Sequence, residues 1–206
     1  MPSNTKAELQ RLLQERNEHP ERSQEIDHQI HALFDHDCAI LVLDLSGFSR
    51  LTIRHGITHF LSMVHRMATI TTPIVHHHQG RVVKQEADNL FAVFETVSAA
   101  VEVAIDILQA FAAVNTVLPE DQDLHASIGI GYGTTLIVAD EDMFGSEMNL
   151  ASKLGEDLAR TGVILLTEAA YLQLPEPPST RRLEKMQLSI SGLTINAYRV
   201  TLLCPL

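Results

Sequence analysis

Residues 38–52 read Cys-Ala-Ile-Leu-Val-Leu-Asp-Leu-Ser-Gly-Phe-Ser-Arg-Leu-Thr, and this stretch decides the fold. Its first part, up to Asp44, is almost continuously apolar, as is typical of a strand that is buried on both faces. The strand ends in a carboxylate, which is costly to bury unless something neutralises its charge. The stretch therefore predicts a central strand with an aspartate at its end.

A second carboxylate follows in the next pair of strands. Residues 81–84 and 90–94 have the pattern of two short strands, and Asp88 lies in the turn 85–89 between them. Two carboxylates at neighbouring strand ends suit hard divalent cations, because Mg²⁺ binds oxygen ligands and completes its shell with substrate phosphates. On local sequence alone, a helix cap or a turn residue remains an alternative for Asp44 and for Asp88.

Helical and strand patterns alternate along the rest of the chain. The order of elements predicts a mixed α/β domain with one central sheet. Three consecutive histidines are expected in an exposed loop before the turn at Gly80. Helices are predicted at 58–75, at 98–114 with Ser98 as the N-cap, and at 147–161, and strands at 124–131, 163–167, 188–190 and 195–202.

The first 36 residues form a separate helical segment in this interpretation, and residues 37–206 form the main domain. Residues 4–17 and 21–34 predict two amphipathic helices, because Pro20 interrupts the apolar pattern. These helices either pack on the domain or pair with a second chain, and the sequence leaves both possibilities open.

Composition and charge restrict the possible partners. The chain has 206 residues, of which 45% are hydrophobic and 20% charged, as expected of a folded domain with a single core. Its net charge of −11 disfavours nucleic acid and anionic lipid as main partners. We find no secretory signal and predict no apolar run of bilayer-crossing length, so we expect a cytoplasmic protein without membrane insertion. Cys38 and Cys204 are expected to be reduced thiols.

Four segments resemble, in order and spacing, the motifs of class III adenylate and guanylate cyclases. They are residues 41–52, 80–94, 128–133 and 142–154. The resemblance implies a ferredoxin-like βαββαβ core, with a central, mostly antiparallel sheet flanked by helices. It also implies a head-to-tail homodimer whose active sites are shared between the subunits.

The resemblance assigns metal and phosphate roles to the first two motifs. Asp44 and Asp88, helped by the backbone carbonyl of Leu45, would hold two divalent metal ions, Mg²⁺ or Mn²⁺. Backbone amides would bind the phosphates of the nucleotide, and Gly47 would let the backbone approach closely. The residues implied for this phosphate loop are Ser46, Gly47, Phe48 and Ser49.

The resemblance also assigns the residues that recognise the base and stabilise the transition state. Lys84 and Asp142 match the pair that reads adenine, in which a cation donates to N1 and a carboxylate accepts from the 6-amino group. Guanine presents the opposite pattern, so it would leave these polar groups unpaired. Asn149 would orient the ribose, and Lys153 would stabilise charge on the pentavalent phosphorus.

Several positions depart from the family pattern. Ala87 and Asn89 flank the second aspartate where glycine is usual, and Lys153 stands in place of an arginine, which could grip two phosphate oxygens. Thr134 and Thr135 follow a predicted turn after Gly133, where some cyclases have a phosphate-binding arginine. The C-terminal hairpin lacks the lysine of other cyclases, for which Arg181, Arg182 and Lys185 are candidate substitutes. Three glutamates, Glu86, Glu147 and Glu156, are expected in solvent.

The function expected from this resemblance is that of an adenylate cyclase, which converts ATP to 3′,5′-cyclic AMP and pyrophosphate. The departures leave two alternatives. One is a catalytically weak or inactive cyclase-homology domain that binds nucleotide as a regulatory module. The other is a cyclase that prefers GTP or a pyrimidine nucleotide.

Overall fold

The computed structural model describes residues 3–139, 141–159, 161–175, 181–190 and 193–203, without the side chains of residues 48–51, 157, 158, 190 and 193. The helices are α1 (Lys6–Glu18), α2 (Ser23–Phe34), α3 (Phe48–His55), α4 (Ile57–His77), α5 (Val97–Asn115), α6 (Ser146–Ser152) and α7 (Glu168–Leu172). A π-helical segment, Lys153–Leu158, continues α6. The strands are β1 (Asp35–Leu45), β2 (Arg81–Glu86), β3 (Asn89–Phe94), β4 (Ala126–Val138), β5 (Asp142–Phe144), β6 (Ile164–Thr167), β7 (Arg181–Ile190) and β8 (Leu193–Leu202).

Strand β1 lies in the middle of the sheet, as its apolar sequence predicts. In the described part of the chain the strand order is β2-β3-β1-β4-β6-β8-β7, and β5 pairs with β4. The paired strands are antiparallel, with the exception of β4 and β6. This arrangement confirms the predicted mixed fold with a central, mostly antiparallel sheet.

The two faces of the sheet carry different helices. Leu41 and Leu43 of β1 belong to the larger core, which is formed with α4, α5 and α7. Ile40 and Val42 belong to a smaller cluster, which is covered by α6. Because side chains alternate along a strand, Asp44 lies on the face that carries α6. We call this face the α6 face.

Helix α6 and the π-helical segment lie directly on the sheet, because glycines remove side chains from the contact. A Cβ atom added to Gly129 of β4 would lie 2.0 Å from the carbonyl oxygen of Ala151. A Cβ atom added to Gly155 would lie 3.0 Å from the carbonyl oxygen of Val42. The helical segment therefore sits at backbone distance from β1 and β4.

The N-terminal helices pack on the domain. Phe34 is completely buried in a cluster that includes Val138, at the end of β4. The Asn4 carboxamide reinforces this contact: its Nδ2 donates to the Ile137 carbonyl at 2.9 Å, and its Oδ1 accepts from the Ala139 amide at 2.7 Å. The sequence left open whether these helices pack on the domain or pair with a second chain, and in this chain they pack on the domain. The boundary between residues 36 and 37 stays a prediction, since β1 begins at Asp35.

Some local predictions were wrong because tertiary contacts extend or shift the elements. Helix α4 continues to His77, so the three histidines end a helix instead of forming a loop, and His78 Nε2 lies 2.7 Å from Asp106 Oδ2. Helix α5 begins one residue earlier than predicted, and its N-cap is Thr96, not Ser98. Strand β7 begins at Arg181, and the short elements α3, β5 and α7 were not predicted.

One further correction concerns α5. By length and composition this 19-residue helix is apolar enough to cross a bilayer, contrary to our expectation. In the fold it packs as a core helix on the sheet, with residues such as Val103, Ala104 and Ile107 fully buried. Cys38 is a buried free thiol, as expected, and burial raises its pKa. Cys204 lies outside the described residues.

The contact at Gly129 yields a first prediction. The Gly129→Ala substitution should lower the free energy of unfolding by about 3 kcal/mol, because the new methyl group overlaps main-chain atoms that cannot move without displacing α6. Gly133→Ala is the control, since its Cβ would meet the side chain of Glu147 at 3.0 Å and that side chain can rotate. Urea denaturation of both variants measures the difference, and equal losses would contradict this account of the contact.

Candidate active site

The end of β1 and the β2–β3 turn bring Asp44 and Asp88 to the same edge of the sheet. Asp44 is paired in register with Asn89. The Leu45 amide donates to the carbonyl of Asp88 at 3.2 Å, which ties the turn to the end of β1. Ala87 adopts a left-handed conformation with φ 50°, which is strained for a residue with a Cβ atom and explains why glycine is favourable there.

The oxygen atoms at this edge fit a divalent cation. Two carboxylates are hard ligands of the kind that Mg²⁺ and Mn²⁺ accept. Burial raises the pKa of Asp88, although a hydrogen bond from its own backbone amide opposes that rise. The Oδ1 atom of Asn89 is buried and has no hydrogen-bond partner among the described residues. A cation at this edge would neutralise the carboxylates and offer a partner to that oxygen.

The predicted metal site has few side-chain ligands. Within the described ranges no group of three or more His, Cys, Asp and Glu side chains is arranged to hold a metal ion. This agrees with a site in which substrate phosphates and backbone oxygens supply the remaining ligands, as is usual for Mg²⁺. The role of the Leu45 carbonyl stays a prediction.

The segment after Asp44 turns sharply into α3. Gly47 has φ 90°, a left-handed conformation that glycine adopts without strain, and α3 starts at Phe48. The first amides of a helix have no acceptor within the helix and favour an anion. The Ser46 amide, in contrast, donates to the His125 carbonyl at 2.8 Å. That hydrogen bond occupies the Ser46 amide, so the phosphate role of Ser46 stays a prediction, as do those of the Gly47, Phe48 and Ser49 amides.

Lys84 and Asp142, predicted to read the base together, are in contact. Lys84 Nζ lies 2.8 Å from Asp142 Oδ1 and 3.2 Å from Glu86 Oε2. It also lies 4.8 Å from the ring centroid of Phe91, which identifies the α6 face as the one that holds the pair. Glu86 remains mostly in solvent, as predicted, with 71% of its side chain exposed.

Asp142 reaches Lys84 because two strands extend beyond their neighbour. Residues 35–38 of β1 pair with residues 133–136 of β4, past the point where β3 ends at Phe94. Strand β5 folds back from the end of this extension, so that Asp142 pairs with Val138. Arg81 of β2 donates to the Ala139 carbonyl at 2.9 Å and holds the hairpin near Lys84.

Both members of the Lys84–Asp142 pair are charged. Burial alone would lower the pKa of Lys84, but hydrogen bonds to Asp142 and Glu86 raise it above its ordinary value. Burial would raise the pKa of Asp142, but hydrogen bonds from Lys84 and from the Met143 amide hold it below its ordinary value. At neutral pH the site therefore presents an ammonium group next to a carboxylate.

Asn149 and Lys153, the predicted ribose and transition-state residues, lie on one side of the same helical segment. They are four residues apart and both are exposed, Asn149 on α6 and Lys153 at the start of the π-helical segment. Glu147 of α6 was expected in solvent, and this was wrong: it is partly buried and accepts a hydrogen bond from Thr167 Oγ1 at 2.7 Å. Glu156 accepts from Asn89 Nδ2 at 3.3 Å.

The two threonines after Gly133 lie in a strand, and the residues considered as substitutes in the C-terminal hairpin each have an ion-pair partner within the chain. Thr134 and Thr135 lie within β4 instead of in a turn, and Thr134 Oγ1 donates to Asp37 Oδ1 at 2.6 Å. Arg181 is paired with Glu102 of α5, which packs on the face opposite α6. On the same strand, β7, Arg182 forms an ion pair with Glu184, and Lys185 forms one with Glu168.

The sheet order and the meeting of Asp44 with Asp88 place this chain among α/β domains of the nucleotide cyclase type. A family model described as the adenylate and guanylate cyclase catalytic domain matches residues 32–201. The chain therefore belongs to the adenylate and guanylate cyclase catalytic domain family.

Relatives and solved structures agree with this membership. A protein named putative adenylate cyclase 3, from Rhizobium meliloti (strain 1021), is 37% identical over 134 residues, which are 65% of this chain and 22% of that protein. An adenylate cyclase from Streptomyces coelicolor is 29% identical over 138 residues, 67% of this chain and 34% of that protein. This chain thus spans only 22% and 34% of the length of these curated relatives. The structure of an adenylate/guanylate cyclase/hydrolase from Silicibacter pomeroyi has a TM-score of 0.69 and 25% identity, covering 80% of this chain and 96% of that chain.

The ion pair between Lys84 and Asp142 yields a second prediction. Asp142→Asn keeps the acceptor for the Met143 amide but removes the charge that Lys84 contacts, so the free energy of unfolding at pH 7 should fall by about 1–2 kcal/mol. The pKa of Asp142 is lowered in the folded protein, so its stabilising effect is complete above the unfolded value of about 3.9 and is lost as the pH falls through the folded value. The difference between the two proteins should therefore shrink below about pH 4.

Urea denaturation at a series of pH values from neutral to acid measures this difference. The control is Glu141→Gln, in the same turn, whose side chain is exposed and which should leave the stability unchanged. A loss in Asp142→Asn that is independent of pH would show that the ion pair does not stabilise the fold.

Proposed function

We propose that this chain is an adenylate cyclase that converts ATP to 3′,5′-cyclic AMP and pyrophosphate. The observation that carries the proposal is the 2.8 Å contact between Lys84 Nζ and Asp142 Oδ1. The ammonium group donates to the N1 acceptor of adenine, and the carboxylate accepts from the 6-amino group. At the same atoms guanine has a donor and an acceptor in reversed order, which leaves both partly buried groups without hydrogen bonds to the base.

Asp44 and Asp88, with the carbonyl of Leu45, hold two divalent metal ions in this proposal, either Mg²⁺ or Mn²⁺. When bound, such ions ease deprotonation of the ribose 3′-hydroxyl and neutralise phosphate charge. The protein's own contribution is to fix the carboxylates at one edge of the sheet and to aim the first amides of α3 at the phosphates. Asn149 orients the ribose, and Lys153 provides a positive charge for the transition state.

The active unit is a cytoplasmic homodimer with shared sites in this proposal. Asp44 and Asp88 come from one subunit, and Lys84, Asp142, Asn149 and Lys153 come from the other. The exposure of Asn149 and Lys153 supports this arrangement, as does Phe144, a neighbour of Asp142 that is 48% exposed. These groups are accessible to a second copy of the chain. The strongly negative chain and the packing of α5 in the core support the absence of nucleic acid and of membrane insertion.

The main rival is a domain of the same fold that binds nucleotide with little or no turnover. Lys153 favours this rival, because an ammonium group cannot grip two phosphate oxygens in the way that a guanidinium can. The positions of Asp44, Asp88, Lys84 and Asp142 favour an active enzyme, since a domain that only binds nucleotide does not need two metal-binding carboxylates.

The activity assay tests the proposal directly. Purified protein is given ATP, GTP, CTP and UTP separately, with Mg²⁺ or Mn²⁺, and the cyclic products are quantified. We expect cyclic AMP from ATP, and a loss of about 100-fold or more in Asp44→Ala, because that variant lacks a metal ligand. Asp37→Ala, which alters an exposed aspartate at the other end of β1, is the matched control and should retain activity. Cyclic GMP as the main product would contradict the role of Lys84 and Asp142, and no product with any nucleotide would favour the rival.

Lys153 yields a separate prediction. The Lys153→Arg substitution should raise kcat for ATP by about tenfold, because the planar guanidinium adds a charge-assisted hydrogen bond to the phosphate in the transition state. The control is Lys185→Arg, which makes the same exchange near Tyr198, on the face opposite α6, and should have no effect. Steady-state kinetics separate kcat from KM, and an unchanged or lower kcat in Lys153→Arg would exclude this role.

A further inference from the structure

We call the edge of the sheet that carries Asp44 and Asp88 the metal edge. The carboxamide of Asn89 lies between this metal edge and the helical segment that carries Lys153. Asn89 follows Asp88 in the chain and is paired in register with Asp44. Its Nδ2 donates to Glu156 Oε1 at 3.3 Å, while its Oδ1 is buried without a hydrogen-bond partner in the described part of the chain. One end of this amide thus contacts the π-helical segment, and the other end is an unsatisfied acceptor on a residue that is paired with Asp44.

The segment that contains Glu156 has an unusual helical geometry. Lys153–Leu158 forms a π-helix, in which the Ala159 amide donates to the Leu154 carbonyl at 2.8 Å. Such segments are rare, and they are frequent at functional sites. Gly155 lies against the Val42 carbonyl, two residues before Asp44, so this segment borders the metal edge.

An amide group transmits a change of charge from one end to the other. A cation near Oδ1 draws electron density from the NH₂ group, and this strengthens the hydrogen bond that Nδ2 donates to a carboxylate. Metal binding at Asp44 and Asp88 therefore tightens the contact between Asn89 and Glu156. A tighter contact holds Glu156, and with it the turn of helix that begins at Lys153.

From this geometry we propose that Asn89 and Glu156 form a latch, through which metal binding at the Asp44–Asp88 edge orders the segment Lys153–Leu158. Asn89 and Glu156 are positioning residues, because they act through Lys153. The latch rests on the proposed function in one respect. In the proposed dimer, the Asp44–Asp88 edge of one chain belongs to one active site, and Lys153 of the same chain belongs to the other. Metal binding in the first site therefore orders the Lys153 segment that this chain contributes to the second site.

The test uses Mn²⁺ alone, without nucleotide, and hydrogen–deuterium exchange of the full chain. At saturating Mn²⁺, amide exchange in Lys153–Leu158 should slow by about tenfold in the unmodified protein. Exchange in α7, which packs on the opposite face, should not change. Glu156→Ala should abolish the protection and weaken Mn²⁺ binding by no more than about tenfold, because the coupling between the contact and the ion is reciprocal; the electron paramagnetic resonance of the ion follows this binding. Asn89→Ala should abolish the protection and weaken Mn²⁺ binding more than Glu156→Ala does, since it also removes Oδ1.

Two further variants separate the latch from a merely structural effect. Glu156→Gln keeps an acceptor for Asn89 Nδ2 and should retain most of the protection. The double variant Asn89→Ala/Glu156→Ala should lose no more protection than either single variant, because both remove the same contact. Protection that persists in Glu156→Ala, or that is absent from the unmodified protein with Mn²⁺ bound, overturns the latch.

The consequence for the dimer is measured separately, from the Mn²⁺ dependence of cyclic AMP formation at a fixed, saturating ATP concentration. We expect the Hill coefficient for Mn²⁺ to be lower in Glu156→Ala than in the unmodified protein, with Glu156→Gln close to the unmodified protein. A Hill coefficient that Glu156→Ala leaves unchanged contradicts coupling between the two sites. An inactive protein that still shows Mn²⁺-dependent protection contradicts the cyclase proposal and supports the latch, so the two failures are distinguishable.

Discussion

The arrangement of the site depends on one steric constraint, the backbone contact of α6 and its π-helical continuation with strands β1 and β4. Gly129 and Gly155 lack the Cβ atoms that would hold the helix away from the sheet. The helix is therefore seated beside the end of β1, on the face that also presents Asp44 and Lys84. A larger residue at either position would change the distance between the edge that carries Asp44 and Asp88 and the segment that carries Asn149 and Lys153.

Electrostatics impose a second constraint, because the chain is acidic and its predicted substrate is an anion. The structure limits the conflict in two ways. It pairs Lys84 with Asp142, so that a cation and a carboxylate lie side by side. It also places Asp44 and Asp88 at one edge, where, in the proposed function, a divalent cation would neutralise two repulsive carboxylates. Both arrangements confine the charged groups to a small area, which is consistent with recognition of a small ligand and not of a polyanion.

Three of the positions that depart from the family pattern lie on two segments that are in contact. Ala87 and Asn89 flank Asp88, and Lys153 lies on the segment whose Glu156 contacts Asn89. Ala87 stiffens a left-handed turn at a cost in strain, and Asn89 adds a carboxamide where glycine would have no side chain. The hydrogen bond between Asn89 and Glu156 joins one of these departures to the segment that carries another, Lys153.

The sequence by itself determined the central strand, the mixed sheet and the two aspartates, which follow from an apolar run and a hairpin within short windows. The resemblance to the family, and not a local pattern, implied that Lys84 and Asp142 act together. Only the tertiary structure decided that the Ser46 amide is taken by His125, that Glu147 points inward to Thr167, and that Asn89 meets Glu156. Each of those contacts joins residues at least 20 positions apart. Hydrophobic periodicity constrains the face on which a side chain lies, but a hydrogen bond between distant residues depends on how the sheet and helices are packed.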